Sequence, residues 1–432
     1  MGYPLAEKNL RSTVAGSVYI SGPIGCARRE RLLFPAGRTG RDSGDREVIS
    51  KITLLVCMTV ALPVVAQTAV DGEEAARVER VFANLPKQNS LHCTINSRKP
   101  ELDFAFRFYA GYIADCPLSE FGGKEVNIVG YIRVRPVRRA PVLLGENYHM
   151  PAMSPEMLAK TNPGKLKAMI ELAGGFTIGE GEYEVEALLV DSSNRICHKR
   201  WKVKAGRSRE QRSVPVALPP NTAAEIMFTP WDGKLASRGG LRATILLDAA
   251  PINPFESKLR PWDRAFLLDS VLSVLRQTPC SSVRLAAFNL EQQKEFFRSD
   301  TFDGSSFADL SHALRKLALG TVSYQVLQDL QGASRLIAEM ADQEIAAARP
   351  SDVVIFLGPT SRFTEKPKPE LLNGAKNGPR FFYFEYYPWL GHDFPDSISH
   401  LTKALHGTTY QIHSPGELGK GIQKMLADLK QE

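Results

Sequence analysis

The chain lacks every short motif that would tie it to a common catalytic or nucleotide-binding mechanism. Neither G-x-x-x-x-G-K-[ST] nor G-x-G-x-x-G occurs, so the usual phosphate and dinucleotide cradles are missing. There is no G-x-S-x-G nucleophile elbow; GPTSR at 358–362 and GASRL at 332–336 both fail its spacing. The six cysteines contain no C-x-x-C pair, which excludes the ordinary zinc-ribbon patterns. An excess of one charge is also absent from most of the chain. The first 66 residues hold nine Lys/Arg against five Asp/Glu, leaving 45 basic against 42 acidic residues in the rest. A balance that even provides no basic footprint for nucleic acid. With 432 residues, 43% of them hydrophobic, the chain has room for two or three domains with proper cores.

What is present begins with an export signal. REVISKITLLVCMTVALPVVAQTA carries Arg46 and Lys51, an apolar core from Ile52 to Val65, and small residues Val64 and Ala66 before Gln67. A basic flank, a short apolar core and a small-x-small ending are the parts of a secretory signal peptide. The core is shorter than the ~20 residues that span a bilayer as a helix. Residues 48–66 are therefore read as a signal peptide, giving a secreted or periplasmic protein with no stable membrane span after cleavage. Residues 1–47 are Gly- and Arg-rich and precede the signal. They are read as an upstream extension from a mis-assigned start, with a disordered tail on an uncleaved anchor as the alternative. Residues 67–89 form a linker with a short amphipathic helix, since Val78, Val81, Phe82 and Leu85 recur at helical spacing.

From 90 to 216 the period changes to two. Phe104, Phe106 and Phe108 alternate with polar neighbours, and Val126, Ile128, Ile132 and Val134 share a face. Tyr183, Val185, Ala187 and Leu189 alternate with Glu182, Glu184 and Glu186, and a polar turn at 191–195 leads to a strand carrying Cys197, Trp201 and Val203. Such a hairpin within an all-β stretch points to an immunoglobulin-like sandwich. Its aromatics read as core, with a glycan platform as the alternative. Four cysteines lie beyond the signal: Cys93, Cys116, Cys197 and Cys280. In an oxidising compartment a Cys93–Cys197 staple is the favoured pairing, with Cys116 competing, and Cys280 beside Pro279 reads as a buried thiol.

After a Pro/Gly-containing connector at 217–240, strands alternate with helices from Leu241 to the end. That alternation requires a mostly parallel sheet with helices on both faces. TILLDAAPINP, 244–254, is an apolar strand stopping at Asp248, and in such folds the loop after a strand is where chemistry sits. GHDFPDSISH gathers His392, Asp393, Asp396 and His400, but the spacing fits no zinc pattern. Asp396 is better explained as a helix N-cap.

Three features of 241–432 carry a family resemblance: the first strand ending at Asp248, GTVSYQ at 320–325 matching G-T-x-x-Y-[DN], and the closing helix–Gly–strand–helix of LTKALHGTTYQIHSPGELGKGIQKML. This half resembles the von Willebrand factor type A domain, a Rossmann-like doubly wound α/β fold. The resemblance implies a metal-ion-dependent adhesion site built from D-x-S-x-S, a threonine and a second aspartate. Here Asp248 and Thr321 match, whereas Ala250 and Ile252 replace the serines and Gly358 replaces the second aspartate. The expected site is degenerate: Asp248 and Thr321 remain as remnants, with no metal or cofactor held tightly and Asp248 accepting hydrogen bonds from Thr321 or backbone N–H groups. The function that follows is non-enzymatic binding of a protein partner or envelope assembly in a bacterial envelope. The alternatives are an enzyme with an unrecognised site in the loops at the sheet's carboxyl edge, or glycan binding by the sandwich.

Overall fold

The computed structural model describes residues 18–21, 68–160, 168–212, 214–226, 231, 233, 240–253, 256, 258–319, 324–367, 378–386 and 395–430. The signal segment 48–66 and Thr321, His392 and Asp393 lie outside them. In chain order the first half contains β1 (Val18–Ser21), β2 (Thr68–Ala69), α1 (Gly72–Ala83), β3 (Thr94–Leu102), β4 (Phe108–Pro117), β5 (Val126–Pro136), β6 (Val142–Met150), α2 (Pro155–Lys160), β7 (Met169–Ile178), β8 (Gly181–Asp191), β9 (Ile196–Ala205) and β10 (Ala223–Ala224). These make two antiparallel sheets, ordered β1-β7-β4-β3 with β10 also on β7, and β2-β6-β5-β8-β9. Strand β1 lies within the stretch read as an upstream extension and pairs with β7 from Val18↔Leu172 to Ser21↔Met169.

Alternation sets the register. Tyr183, Val185, Ala187 and Leu189 of β8 are buried in the same core as Ala110, Tyr112 and Ala114 of β4. On the other face, Glu182 pairs with Lys204 and Glu184 with Arg200 across the β8–β9 ladder. A one-residue slip would bury this row of charge, so the register is strongly specified. Tyr148 of β6 crosses the sandwich, its hydroxyl donating to the Ala173 carbonyl at 3.0 Å. The helix α1 covers the outer face of the second sheet, placing Val78 and Phe82 against Tyr131, Leu143, Leu188 and Val190.

The aromatic alternation at Phe104–Phe108 does not form a continuous strand. Residues 103–107 are a turn, and β4 begins at Phe108. The Asp103 carboxylate accepts from the Arg107 backbone N–H at 2.7 Å and from its Nε at 3.0 Å, closing the turn.

The second half runs β11 (Leu241–Asp248), α3 (Pro261–Gln277), β12 (Cys280–Asn289), β13 (Lys294–Ser299), α4 (Gly304–Lys316), α5 (Tyr324–Gln328), α6 (Gly332–Ile345), β14 (Val353–Pro359), β15 (Arg380–Tyr386), α7 (Ser397–Ala404), β16 (Thr408–Ile412) and α8 (Pro415–Lys430). Its sheet is ordered β13-β12-β11-β14-β15-β16, parallel throughout except for the antiparallel edge strand β13. Helices α3, α4 and α8 pack on one face and α6 and α7 on the other. The chain is thus mixed α/β with a mostly parallel sheet. Strand order reverses between β11 and β14, and Asp248 ends β11 at that point.

The disulfide differs from the expected staple. Cys93 is bonded to Cys116, and Cys197 is a buried free thiol. The ladder explains it: Thr94 pairs with Asp115, so Cys93 and Cys116 are the next cross-strand neighbours, with Cα atoms 4.2 Å apart. Cys280 is free and buried as expected, and burial pushes its thiol up to about 12.

Candidate functional site

The crevice at a switch point is where an open parallel sheet offers ligands a place to bind, so the carboxyl edge around Asp248 is the candidate site. The loop after β11 is anchored by Asp263 of α3, whose carboxylate accepts from the Ile252 N–H at 3.2 Å and the Arg260 N–H at 2.8 Å. Asn289 at the end of β12 donates to the Ala249 carbonyl at 2.9 Å. These bonds fix the first part of the loop beside Asp248.

Asp248 is 1% exposed, and neither carboxylate oxygen has a hydrogen-bond partner among the described residues. Among the described residues no backbone N–H makes the expected bond to it. Burial, then the charges of Asp396 and Glu291, pushes its carboxyl well above the ordinary aspartate range. Across the strand break, a Cβ on Gly358 would lie 2.7 Å from the Asp248 Cβ and 2.9 Å from its carbonyl oxygen. The position where the resemblance places a second aspartate therefore has no room for any side chain.

Two further carboxyls complete the cluster. Asp396 caps α7, accepting from Ser399 N–H at 2.8 Å, Ser361 N–H at 2.9 Å and the Tyr383 hydroxyl at 3.1 Å. The N-cap expectation for Asp396 matches this geometry. Glu385 projects from β15, 2% exposed; its Oε1 has no partner among the described residues, and burial followed by the Asp396 charge pushes its carboxyl up to about 8. Burial raises the Asp396 carboxyl as well, and the donors from Ser361, Ser399 and Tyr383 oppose that rise by favouring its charged form. Glu385, pushed up to about 8, keeps its proton at neutral pH, and burial shifts Asp248 in the same direction.

This arrangement does not fit a divalent cation. Magnesium requires near-octahedral oxygen ligation, yet Ala250, Ile252 and Gly358 supply no side-chain oxygen. Among the described residues no group of three or more His, Cys, Asp or Glu is placed to hold a metal. A general acid must also come within hydrogen-bond reach of its substrate, and all three carboxyls are buried. Glu385 and its link to Asp396 escaped the sequence reading. The signal was available: after Arg380 at the start of the strand, FFYFEY sets one charged residue, Glu385, among aromatic ones.

Large apolar side chains mark the surface of the same edge. Trp262, Tyr324 and Leu330 are 49%, 74% and 77% exposed. Trp262 lies in the first turn of α3, directly after the β11 loop. Tyr324 opens α5 and Leu330 follows it, and α5 is tied to the β12–β13 turn through Gln293 Nε2 donating to the Val326 and Asp329 carbonyls at 3.2 and 2.8 Å.

No family model matches the chain, and no curated protein does. Among solved structures, a lipoprotein from Bacteroides thetaiotaomicron aligns at 10% identity over 30% of this chain and 92% of its own, with a TM-score of 0.15. Bacteroides uniformis beta-glucuronidase 2 aligns at 9% identity over 74% of this chain and 39% of its own, with a TM-score of 0.18. Similarity this low carries no structural or functional argument.

Proposed function

We propose that this is an exported, non-enzymatic protein-binding protein. In this reading a von Willebrand factor type A-like domain, preceded by an immunoglobulin-like sandwich, works without a metal and presents its carboxyl edge to a protein partner. The observation that carries it is the exposure of Trp262, Tyr324 and Leu330 on elements at that one edge. Aromatic and large aliphatic side chains of this kind anchor protein interfaces. The doubly wound order with Asp248 at the switch point agrees with the domain assignment.

The Cys93–Cys116 disulfide supports an oxidising compartment and hence export. Among the described residues no helix is long and apolar enough to cross a membrane. Cleavage after Ala66 would also remove β1 and leave Met169–Leu172 of β7 paired only with β4. The alternatives have less support. The three carboxyls are buried away from any substrate, and among the described residues the large exposed hydrophobics of the sandwich, Val137 and Leu158, are not aromatic as a glycan platform requires.

The test is capture from native envelope extract with the mature chain and with a Trp262→Ser/Tyr324→Ser/Leu330→Ser variant that retains its circular dichroism. A partner held by the first and lost by the second is the expected result. Equal capture by both would remove this edge as the contact face.

A further inference from the structure

We propose that Cys93, Cys116 and Cys197 form an internal thiol–disulfide exchange unit, in which Cys197 displaces Cys116 from Cys93 and moves the covalent tie from within one sheet to between the two. Cys93 precedes β3 and Cys116 lies next to the end of β4, so the observed disulfide joins neighbouring strands of a single sheet. Cys197 lies on β9 of the opposite sheet, yet its thiol donates to the Cys93 carbonyl at 3.2 Å.

The approach is built in by a latch. Ser90 and Leu91 N–H donate to the Ile196 carbonyl at 2.9 and 3.0 Å. Ile196 N–H donates to Ser90 Oγ at 2.8 Å, His198 N–H donates to Asn89 Oδ1 at 3.0 Å, and Asn89 Nδ2 reaches the Cys197 sulfur at 3.6 Å. Segment 89–93 thus runs along the start of β9 and holds Cys93 beside the only free thiol among the described residues of the sandwich.

The reaction needs no oxidant. The Cys197 thiolate attacks Cys93 Sγ, the Cys93–Cys116 bond breaks, and Cys116 leaves as a thiolate that takes up the proton Cys197 released. One disulfide and one thiol are present before and after. Burial raises the Cys197 thiol above its ordinary range, which keeps the thiolate scarce and the exchange slow in the resting fold. The product would close a loop of about a hundred residues instead of the 23-residue separation of the present bond, constraining the unfolded chain more strongly.

The test is a time course on the full chain at pH 7.5 without added oxidant, quenched with acid, alkylated and mapped without reduction. The expected course is decay of Cys93–Cys116 with matching gain of Cys93–Cys197 and alkylated Cys116, at a rate independent of protein concentration. Cys197→Ser should abolish the change. In Cys116→Ser, checked for native circular dichroism, oxidised glutathione should link Cys93 to Cys197. No exchange in the wild type over several days overturns the proposal. So does parallel growth of Cys280-containing disulfides, which marks scrambling through unfolding.

Discussion

Replacing Glu385 with glutamine should make the protein more stable at neutral pH, although it alters a fully buried position. Burial pushes this carboxyl from 4.5 up to about 8, so the folded state retains a proton that the unfolded chain releases above pH 4.5. The stability linked to Glu385 is therefore complete below pH 4.5 and is lost as pH rises towards about 8. At pH 7 the loss is about 3 kcal/mol, from 1.36 kcal/mol for each of roughly 2.5 pH units. Glutamine does not titrate, but its amide leaves a buried donor unpaired, costing about 1 kcal/mol. The net expectation is a gain of about 2 kcal/mol at pH 7, or roughly 4–8 °C in Tm for a domain of this size. At pH 4.5 the sign reverses, and the variant becomes the weaker by about 1 kcal/mol. Thermal melts of both proteins, followed by circular dichroism between pH 4.5 and 8, measure the difference. Parallel profiles would refute the reasoning, because they would mean that Glu385 is ionised in the folded state.

Four other expectations follow from the same geometry. Gly358→Ala places a Cβ 2.7 Å from that of Asp248 and should cost about 1–3 kcal/mol in urea unfolding; an unchanged midpoint would show that the strands separate freely. Arg107→Met strands Asp103 and Asp269 without their shared cation and should cost about 3–5 kcal/mol, with a loss under about 1 counting against the ion pairs. Calorimetric titration with Mg²⁺ and Mn²⁺ should find no site tighter than about millimolar; a micromolar site abolished by Asp248→Ala would restore metal-dependent contact. Intact mass of exported protein should place its first residue at Gln67, whereas a chain still beginning at Met1 would point to an uncleaved anchor.

The parts of the fold legible in the sequence are those whose pattern is local. Strand β8 alternates because its glutamates face cross-strand Lys and Arg while its apolar residues face the core, and β11 and β14 read as apolar runs because both faces are covered. Strand β13 was not legible: it is half-buried along its length, so KEFFRS carries no period of two. The stretch from Tyr324 to Ile345 has the composition of one helix but forms two, α5 and α6, with the break before Gly332, where a Cβ would lie 1.8 Å from the Gln293 side chain. That contact spans 39 residues of sequence and has no local signature. The disulfide was misread for a related reason. Cys93 and Cys197 both lie in the β-region, but only the β3–β4 register reveals which sulfur faces Cys93. At the site, Asp248 could be found from the end of its strand, while the company it keeps with Asp396 and Glu385 depends on the order of strands in the sheet.

How the sandwich joins the α/β half bears on what the carboxyl edge can do. The turn between β3 and β4 docks on α3: Arg107 sits between Asp103 and Asp269, at 2.9 and 3.5 Å, and Ser273 Oγ donates to the Phe104 carbonyl. The Phe104 ring meets Phe266 and Tyr386 edge-on at 4.6 and 5.4 Å. Tyr386 ends β15 one residue after Glu385, and its carbonyl accepts from Thr360 N–H at 2.8 Å at the end of β14. The sandwich is thereby packed against the strand end that carries the acidic cluster, within one continuous core. Close-packed contacts of this kind have a single arrangement, and transmission of a signal requires an element with two. The junction therefore acts as a brace. It fixes the carboxyl edge relative to the sandwich, so that a partner of the kind proposed would meet a surface already in place and give up little binding free energy to ordering it.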